Sequence, residues 1–163
     1  MKKILILSDT HSCFDSFIEK QATWADEIWH AGDWGNMEVV ESLEKYAPVK
    51  GVYGNIDDHT IRAAYPEHES FACDGLKISM LHIAGYPGRY NSKAKTIIAQ
   101  DQPDLFICGH SHILKVMKDP KGKHLHINPG AAGQKGFHKV RTMIRLVIRN
   151  GKADQMEVVE INR

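Results

Sequence analysis

Short apolar runs alternate with amphipathic stretches through most of the chain. The apolar runs are rich in Ile, Leu and Val and are too short for helices, which predicts buried strands. These strands are predicted at 3–8, 26–31, 49–53 and 104–108. The amphipathic stretches predict helices at 15–25, 37–46 and 91–100, and a shorter helical segment at 58–65. Strands that alternate with helices in this way indicate an α/β fold.

Three pairs of apolar segments predict β-hairpins. The pairs are 69–73 with 76–83, 114–117 with 124–127, and 142–149 with 153–161. The last pair turns at Asn150-Gly151, which is the strongest short-range signal for a hairpin. No linker, repeat or low-complexity tract interrupts the pattern, so we predict one domain over residues 1–163.

Composition and charge narrow the class of protein. The chain is 42% hydrophobic and 25% charged, and its formal net charge of +1 gives no strong signal for nucleic acid or an anionic membrane as partner. The apolar start ends at Asp9 and is too short for a signal peptide or a membrane span, so a first strand is predicted there. Three cysteines without a Cys-x-x-Cys spacing predict reduced thiols and a cytoplasmic location.

Carboxylate, amide and imidazole groups recur just beyond the carboxyl ends of five predicted strands. They are Asp9 with His11, Asp33, Asn55, His82, and His110 with His112. Ligands of α/β sheets bind at these ends. Each group also has an ordinary alternative, since Asp9 could cap a helix and Asn55 with Asp57 could form a turn. Five coincidences would be needed for all of these alternatives to hold together.

The combined set contains two carboxylates, one amide and four imidazoles. These exceed the ligands of one tetrahedral site and suit two metal ions about 3.5–4 Å apart that share a carboxylate. Of the other histidines, His30 lies inside a predicted strand and is interpreted as a core residue or as one that orients a ligand. We expect His59 and His68 to be solvated.

The order of these residues resembles a known family. The chain contains Asp9-Thr10-His11, Gly32-Asp33, Gly54-Asn55-Ile56-Asp57, the strand-end His82 and Gly109-His110-Ser111-His112. This pattern is similar to that of the calcineurin-like metallophosphoesterases. The short length and the Asn128-Pro129-Gly130 loop resemble the small bacterial and archaeal subfamily of YfcE-like phosphodiesterases.

The resemblance implies a fold and a set of ligands. The fold would be two facing mixed β-sheets flanked by helices. One metal would take Asp9, His11, Asp33 and His112, and the other Asp33, Asn55, His82 and His110, so that Asp33 bridges. The two ions would be divalent transition metals, with manganese favoured over iron, zinc or nickel; mixed oxygen and nitrogen ligands suit all four. Asp33, Asn55 and His110 are predicted to be catalytic as well as ligating, and Asp57 to have a structural or orienting role.

The implied reaction is attack on phosphorus by a hydroxide that bridges the two metals. The substrate would be a small phosphodiester or a nucleotide-like compound, and the sequence leaves open whether the chain forms a homo-oligomer. Larger family members have a histidine at the position of Ile56, which is taken as a proton donor or phosphate contact. Isoleucine can do neither, so a general acid is missing here.

Two other classes of function are weighed against this one. A scaffold on the same fold, similar to the retromer subunit of this family, would have no chemical need for seven converging ligands. Another class of metallohydrolase is also disfavoured, because Ile113 and Leu114 follow His112 where metallo-β-lactamases have Asp-His.

The segment 136–141 carries three further candidates, His138, Lys139 and Arg141. The slightly favoured interpretation is that all three are solvated at the start of a strand. The alternative is that His138 or Arg141 contacts the substrate phosphate or supplies the proton that Ile56 cannot, since arginine presents a planar fork and histidine has a suitable pKa.

Overall fold

The computed structural model describes residues 1–163 and contains ten strands and four helices. The strands are β1 (Lys2–Leu7), β2 (Glu27–His30), β3 (Val49–Gly51), β4 (His68–Cys73), β5 (Leu76–Leu81), β6 (Leu105–Ile107), β7 (Leu114–Lys118), β8 (Leu125–Pro129), β9 (Val140–Arg149) and β10 (Lys152–Asn162). The helices are α1 (Ser16–Ala22), α2 (Met37–Glu44), α3 (His59–Ala64) and α4 (Ser92–Asp101). Every predicted helix and strand is present.

The strands form two five-stranded mixed sheets. The first has the order β10-β9-β1-β2-β3, in which β1, β2 and β3 are parallel and β9 is antiparallel to both neighbours. The second has the order β4-β5-β6-β8-β7, with β5, β6 and β8 parallel and an antiparallel strand at each edge. All three predicted hairpins are therefore confirmed as β4–β5, β7–β8 and β9–β10.

Alternate residues of the central strands pack on opposite sides of each sheet. In β1, Ile4 and Ile6 belong to the apolar layer between the two sheets, whereas Leu5 and Leu7 pack with the cluster that holds Ile18 of α1. Helix α4 covers the outer side of the second sheet through a third, smaller cluster. Because both faces of the central strands are covered, the sequences of these strands are continuous apolar runs. The predicted arrangement of two facing mixed sheets flanked by helices is confirmed.

Each helix begins with a polar side chain that accepts a hydrogen bond from a backbone N–H in the first turn. These capping residues are Asp15, Asn36, Asp58 and Asn91. Helices α1 and α2 end a few residues before their predicted limits. The chain there continues in tighter i→i−3 hydrogen bonds, such as that from Trp24 N to the carbonyl of Gln21 at 3.2 Å. None of the four helices combines the length and the apolar composition that a membrane span requires.

The structure corrects one of the predictions for histidines outside the ligand set. His59 is exposed, as predicted. His68 is half-buried instead, with its Nε2 2.7 Å from Oδ2 of Asp101, an oxygen that also accepts from the Ser79 hydroxyl at 2.6 Å. The reason is that Asp101 ends α4 directly above this sheet, so the imidazole joins a helix to a strand.

Two buried histidines are held neutral by the core. His30 contacts the Thr10 hydroxyl through Nε2 at 2.9 Å and accepts from the N–H of Gly32 through Nδ1 at 3.1 Å, so it is a satisfied core residue. His126 lies 2.7 Å from the Tyr90 hydroxyl. Burial lowers the pKa of His30 to about 3 and that of His126 to about 4.

These two histidines should make the metal-free protein sensitive to acid. Their pKa values are lower in the folded state than the usual 6.5, so the unfolded chain binds more protons below that pH and stability falls as pH decreases from about 6.5 toward about 4. Each contributes a slope of about 1.4 kcal/mol per pH unit in this range. Urea unfolding with chelator across this range should show a shallower slope for His126→Gln than for wild type. The exposed control His59→Gln should keep the wild-type slope, and an unchanged slope in His126→Gln would contradict the assignment.

Candidate metal centre

The fold brings the seven predicted ligands to one place. Asp9, Asp33 and Asn55 follow the parallel strands β1, β2 and β3, and therefore leave the first sheet at the same edge. His82 follows β5, and His110 and His112 follow the neighbouring parallel strand β6 of the second sheet. Since the two sheets face each other, these loops meet above the apolar layer.

The ligand loops have an unusual backbone. Five of the seven residues have positive φ although none is glycine. They are Asp9 (φ 54), His11 (φ 45), Asp33 (φ 58), His110 (φ 71) and His112 (φ 60). Left-handed backbone at non-glycine residues costs of order 1–3 kcal/mol each and is concentrated at functional sites. Nothing in the residue pattern predicts this strain, since left-handed backbone is expected at glycine before any other residue.

One glycine is required by the close approach of a ligand. A Cβ at Gly54 would collide with Oδ1 and the backbone nitrogen of Asp33. Glycine at this position lets the loop after β3 lie directly against the carboxylate, which is why Gly precedes Asn55 in the motif.

The first ligand cluster consists of Asp9, His11 and His112. One nitrogen or oxygen of each lies within 4.8 Å of the others, and His112 Nε2 is 3.1 Å from Asp9 Oδ1. The other oxygen of Asp9 is already used, because Oδ2 accepts from the Ser8 hydroxyl at 2.6 Å and from the N–H of His110 at 3.0 Å. Oδ1 is therefore the oxygen that faces the cluster. Ser8 was not among the predicted site residues.

The second ligand cluster consists of Asp33, His82 and His110. His82 Nε2 lies 3.3 Å from Asp33 Oδ1. The side-chain oxygen of Asn55 lies between two imidazoles, 3.1 Å from His82 Nε2 and 3.0 Å from His110 Nδ1. The amide therefore points into this cluster with its oxygen.

Asp33 faces both clusters. Its Oδ2 is 3.4 Å from His11 Nε2 in the first cluster, and its Oδ1 is directed toward His82 in the second. A carboxylate with one oxygen toward each cluster has the geometry that a shared ligand of two cations needs.

Two atoms of the first cluster lack any hydrogen-bond partner. Asp9 Oδ1 and His11 Nε2 are both buried and have no hydrogen-bond partner, although His112 Nε2 lies 3.1 Å from Asp9 Oδ1. An unsatisfied buried polar group costs about 1–3 kcal/mol, and more if charged. A divalent cation would satisfy both atoms at once. The residues present therefore fit the metal that the resemblance implies, and their mixed oxygen and nitrogen donors suit a transition metal.

Charges within the site hold the carboxyl groups ionised. Burial alone would raise the pKa of Asp9 and of Asp33, but the neighbouring imidazoles of His11 and His112 lower the first, and His82 lowers the second. For His82, burial lowers the pKa, but contact with Asp33 and the charge of Asp9 outweigh it and raise the pKa. Both carboxyl groups therefore stay ionised beside the imidazoles, although Asp9 Oδ1 accepts no hydrogen bond.

Asp57 supports the ligand loops from behind. Its Oδ2 accepts from the N–H groups of Asp33 at 3.0 Å and Gly54 at 2.7 Å, and its Oδ1 accepts from the N–H of Gly35 at 3.0 Å. One buried carboxylate thus joins the loops after β2 and β3.

Replacement of Asp57 by asparagine should weaken both the fold and the site. An amide nitrogen would face at least one N–H donor, which leaves a buried group unsatisfied at a cost of about 1–3 kcal/mol. Urea unfolding of the metal-free variant should show this loss, and metal titration should show weaker binding. The exposed Asp154→Asn is the control. An Asp57→Asn protein with wild-type stability and metal affinity would contradict the role.

The structure corrects both interpretations of Arg141. This residue is neither solvated nor directed at the ligands: it is buried, and its guanidinium donates to the Asp15 carboxylate at 2.8 and 3.1 Å and to the carbonyl of Ala132 at 2.7 Å. Its guanidinium also lies 5.1 Å from the ring centre of Phe17. The acidic partner Asp15 at the start of α1 holds the side chain away from the site. The hypothesis that Arg141 contacts the substrate phosphate is therefore wrong.

His138 is the member of that segment that reaches the site. It is half-buried, and its Nδ1 lies 3.2 Å from Nδ1 of His112. The expectation of a solvated side chain is therefore wrong for His138 but correct for Lys139, which is exposed.

Open space lies on two sides of the ligands. A cavity of about 350 Å³ is lined by Asn55, His82 and Arg62, and one of about 400 Å³ by His110, His112 and Phe137. Ile56, the residue after Asn55, is 45% exposed, and its side chain carries no group that can donate a proton.

Comparison with known proteins identifies the family. Residues 1–151 match the calcineurin-like phosphoesterase superfamily domain. The chain is 26% identical over 138 residues to a probable metallophosphoesterase of Methanothermobacter thermautotrophicus, covering 77% of this chain and 74% of that protein. A structure of a Vps29 variant from Entamoeba histolytica has a TM-score of 0.76 at 19% identity, over 98% of this chain and 99% of that one. Another structure, described as that of a novel archaeal phosphodiesterase, has a TM-score of 0.74 at 22% identity, over 98% of this chain and 99% of that one.

The chain therefore belongs to the calcineurin-like phosphoesterase superfamily. These two structural similarities show a shared fold and nothing more, because both sequence identities are low. Family membership and the candidate ligand clusters support a hydrolase that acts on phosphate esters and binds divalent metal ions. The resemblance seen in the motifs is confirmed.

Proposed function

We propose that this protein is a phosphodiesterase that depends on two divalent metal ions held by the clusters around Asp9 and Asp33. The observation that carries the proposal is the arrangement of Asp33, whose oxygens face different clusters, beside the unpaired buried atoms Asp9 Oδ1 and His11 Nε2. Such atoms are costly without a cation, and two clusters that share a carboxylate suit a pair of cations.

The residues would divide the ligation as follows. Asp9, His11 and His112 would hold one ion, His82, His110 and the oxygen of Asn55 the other, and Asp33 would serve both. When bound, the pair of ions supplies an activated water as nucleophile and neutralises charge on the phosphate oxygens. Manganese is the ion we favour.

Other residues of the chain hold the candidate ligands in position. Ser8 and the N–H of His110 fix the Asp9 carboxylate, and Asp57 fixes the loops of Asp33 and Asn55, so the ligands are held in place before substrate arrives. Such preorganisation is where most of the catalytic power of phosphoryl-transfer enzymes originates. No side-chain nucleophile is needed, and burial raises the pKa of the nearby Cys108 thiol to about 12, which leaves it unreactive.

An interaction scaffold on the same fold is the alternative function. It would need neither the unpaired atoms of the first cluster nor the strained backbone of the ligand residues, both of which cost stability. These features favour a metal-dependent enzyme over a scaffold.

The proposal is tested by reconstitution. Protein stripped with chelator should be inactive toward bis(p-nitrophenyl) phosphate and should recover activity with manganese as the metal content approaches two ions per chain. Parallel reconstitution with zinc, nickel and ferrous iron compares the metals. Full hydrolysis by the stripped protein with chelator present would overturn the proposal, as would inactivity of the fully loaded protein toward all aryl and nucleotide diesters.

A further inference from the structure

The side chain of His112 is held by a second histidine from the loop between β8 and β9. His138 Nδ1 lies 3.2 Å from His112 Nδ1, and His138 Nε2 lies 2.9 Å from the carbonyl oxygen of Gly133. The rings meet edge to face, with centroids 5.1 Å apart and an interplanar angle of 77°. A Cβ at Gly136 would collide with the His112 ring and would lie 3.0 Å from His138 Nδ1, so the loop packs closely over the pair.

These contacts determine which nitrogens carry protons. A carbonyl oxygen can only accept, so Nε2 of His138 must carry its proton. A neutral imidazole has one N–H, so Nδ1 of His138 is an acceptor, and the proton between the rings belongs to Nδ1 of His112. The lone pair of His112 is then on Nε2, the atom that lies 3.1 Å from Asp9 Oδ1 in the first cluster.

We infer that His138 is a positioning residue that sets the tautomer and the ring orientation of His112, so that Nε2 is free to bind a metal ion in the first cluster. This inference rests on the metal binding proposed above. A histidine ligand needs a neutral ring whose other nitrogen is hydrogen-bonded, and loss of such a partner costs about 10–100-fold in metal affinity.

In the second cluster, His82 obtains the same effect from the backbone. His82 Nδ1 lies 2.7 Å from the carbonyl oxygen of Ala31, so it carries the proton and leaves Nε2 free. That carbonyl belongs to the residue directly after β2. His138 contacts an imidazole of the first cluster only, so its loss should affect the two sites unequally.

The same contacts argue against an acid role for His138. Both of its nitrogens are engaged, one by a carbonyl and the other by His112. No proton on this ring is available to a leaving group, so His138 does not replace the acid that is missing at Ile56.

The tautomer can be observed directly. Long-range ¹H–¹⁵N spectra of the metal-free protein labelled at histidine should show His112 with its proton on Nδ1. In His138→Ala the resonances should move toward a mixture of both tautomers. In His138→Gln they should remain close to wild type, because a glutamine oxygen can accept from His112 while its nitrogen donates to Gly133. An unaltered His112 tautomer in His138→Ala would overturn the inference.

Metal titration provides the second measurement. Wild type and the exposed control His59→Ala should bind two manganese ions. His138→Ala should keep one site near wild-type affinity and lose about 10–100-fold at the other, with recovery in His138→Gln. Equal weakening of both sites, or of neither, would contradict the assignment to the first cluster. A wild-type protein that binds no manganese would instead refute the proposed function, while the tautomer spectra would still test His138.

Discussion

Replacement of Asp33 by asparagine is expected to remove both metal ions and to abolish phosphodiesterase activity. One oxygen of this carboxylate is 3.4 Å from His11 Nε2 and the other is 3.3 Å from His82 Nε2, so the same side chain faces both clusters. Asparagine keeps the shape but removes the negative charge and turns one ligand oxygen into a donor. The loss of affinity should exceed the ~10–100-fold that follows loss of an outer hydrogen-bond partner.

Metal content after reconstitution, together with turnover of bis(p-nitrophenyl) phosphate, measures this effect. His11→Ala and His82→Ala provide the comparison, because each belongs to one cluster and should spare the other site. Asp154→Asn changes an exposed carboxylate and should leave both quantities unchanged. If Asp33→Asn retained two ions with normal affinity, the shared-ligand assignment would be wrong.

Aryl phosphodiesters are expected to be hydrolysed much faster than unactivated alkyl monoesters. Ile56 has no proton to donate, and both nitrogens of His138 are engaged, so no side chain identified at the site protonates a poor leaving group. General-acid catalysis typically raises a rate by ~10²–10⁴-fold. Without an acid, a substrate with a poor leaving group is hydrolysed without this rate enhancement. The rate with loaded enzyme should therefore fall steeply as the pKa of the leaving alcohol rises.

A series of phosphodiesters that differ only in the leaving alcohol measures this dependence. Ile56→His should flatten this dependence and raise alkyl monoester hydrolysis, since position 56 follows Asn55 and is 45% exposed, so an imidazole can be accommodated there. Ile56→Leu is the matched control and should keep the steep dependence. Rapid turnover of alkyl monoesters by wild type would show that an acid is present after all.

The sequence alone was sufficient to predict the helices and strands, and to predict that the candidate ligands lie close together. Strands in an α/β fold are covered on both faces, so their residues form apolar runs that stand out from the helices. Polar groups that follow parallel strands reach the same edge of a sheet, and this is where Asp9, Asp33 and Asn55 lie. The capping of α2 by Asn36 likewise depends on local sequence alone, because this side chain accepts from a backbone N–H in its own helix turn.

Tertiary structure decided the partners of the long polar side chains. Arg141 turns inward because Asp15, 126 residues away, offers it a carboxylate, and His68 is half-buried because Asp101 lies above its strand. Local patterns carry no information about partners so far apart in the chain, so solvated side chains were the natural expectation for both.

The roles of individual atoms in the site were likewise decided only by the fold. Residue types indicated that Asp9 and His112 are ligands, but Ser8 and the N–H of His110 determine which oxygen of Asp9 is free. His138 determines which nitrogen of His112 is free. A hydrogen bond depends on the distance and direction between two atoms, and both are set by how the loops of the two sheets meet.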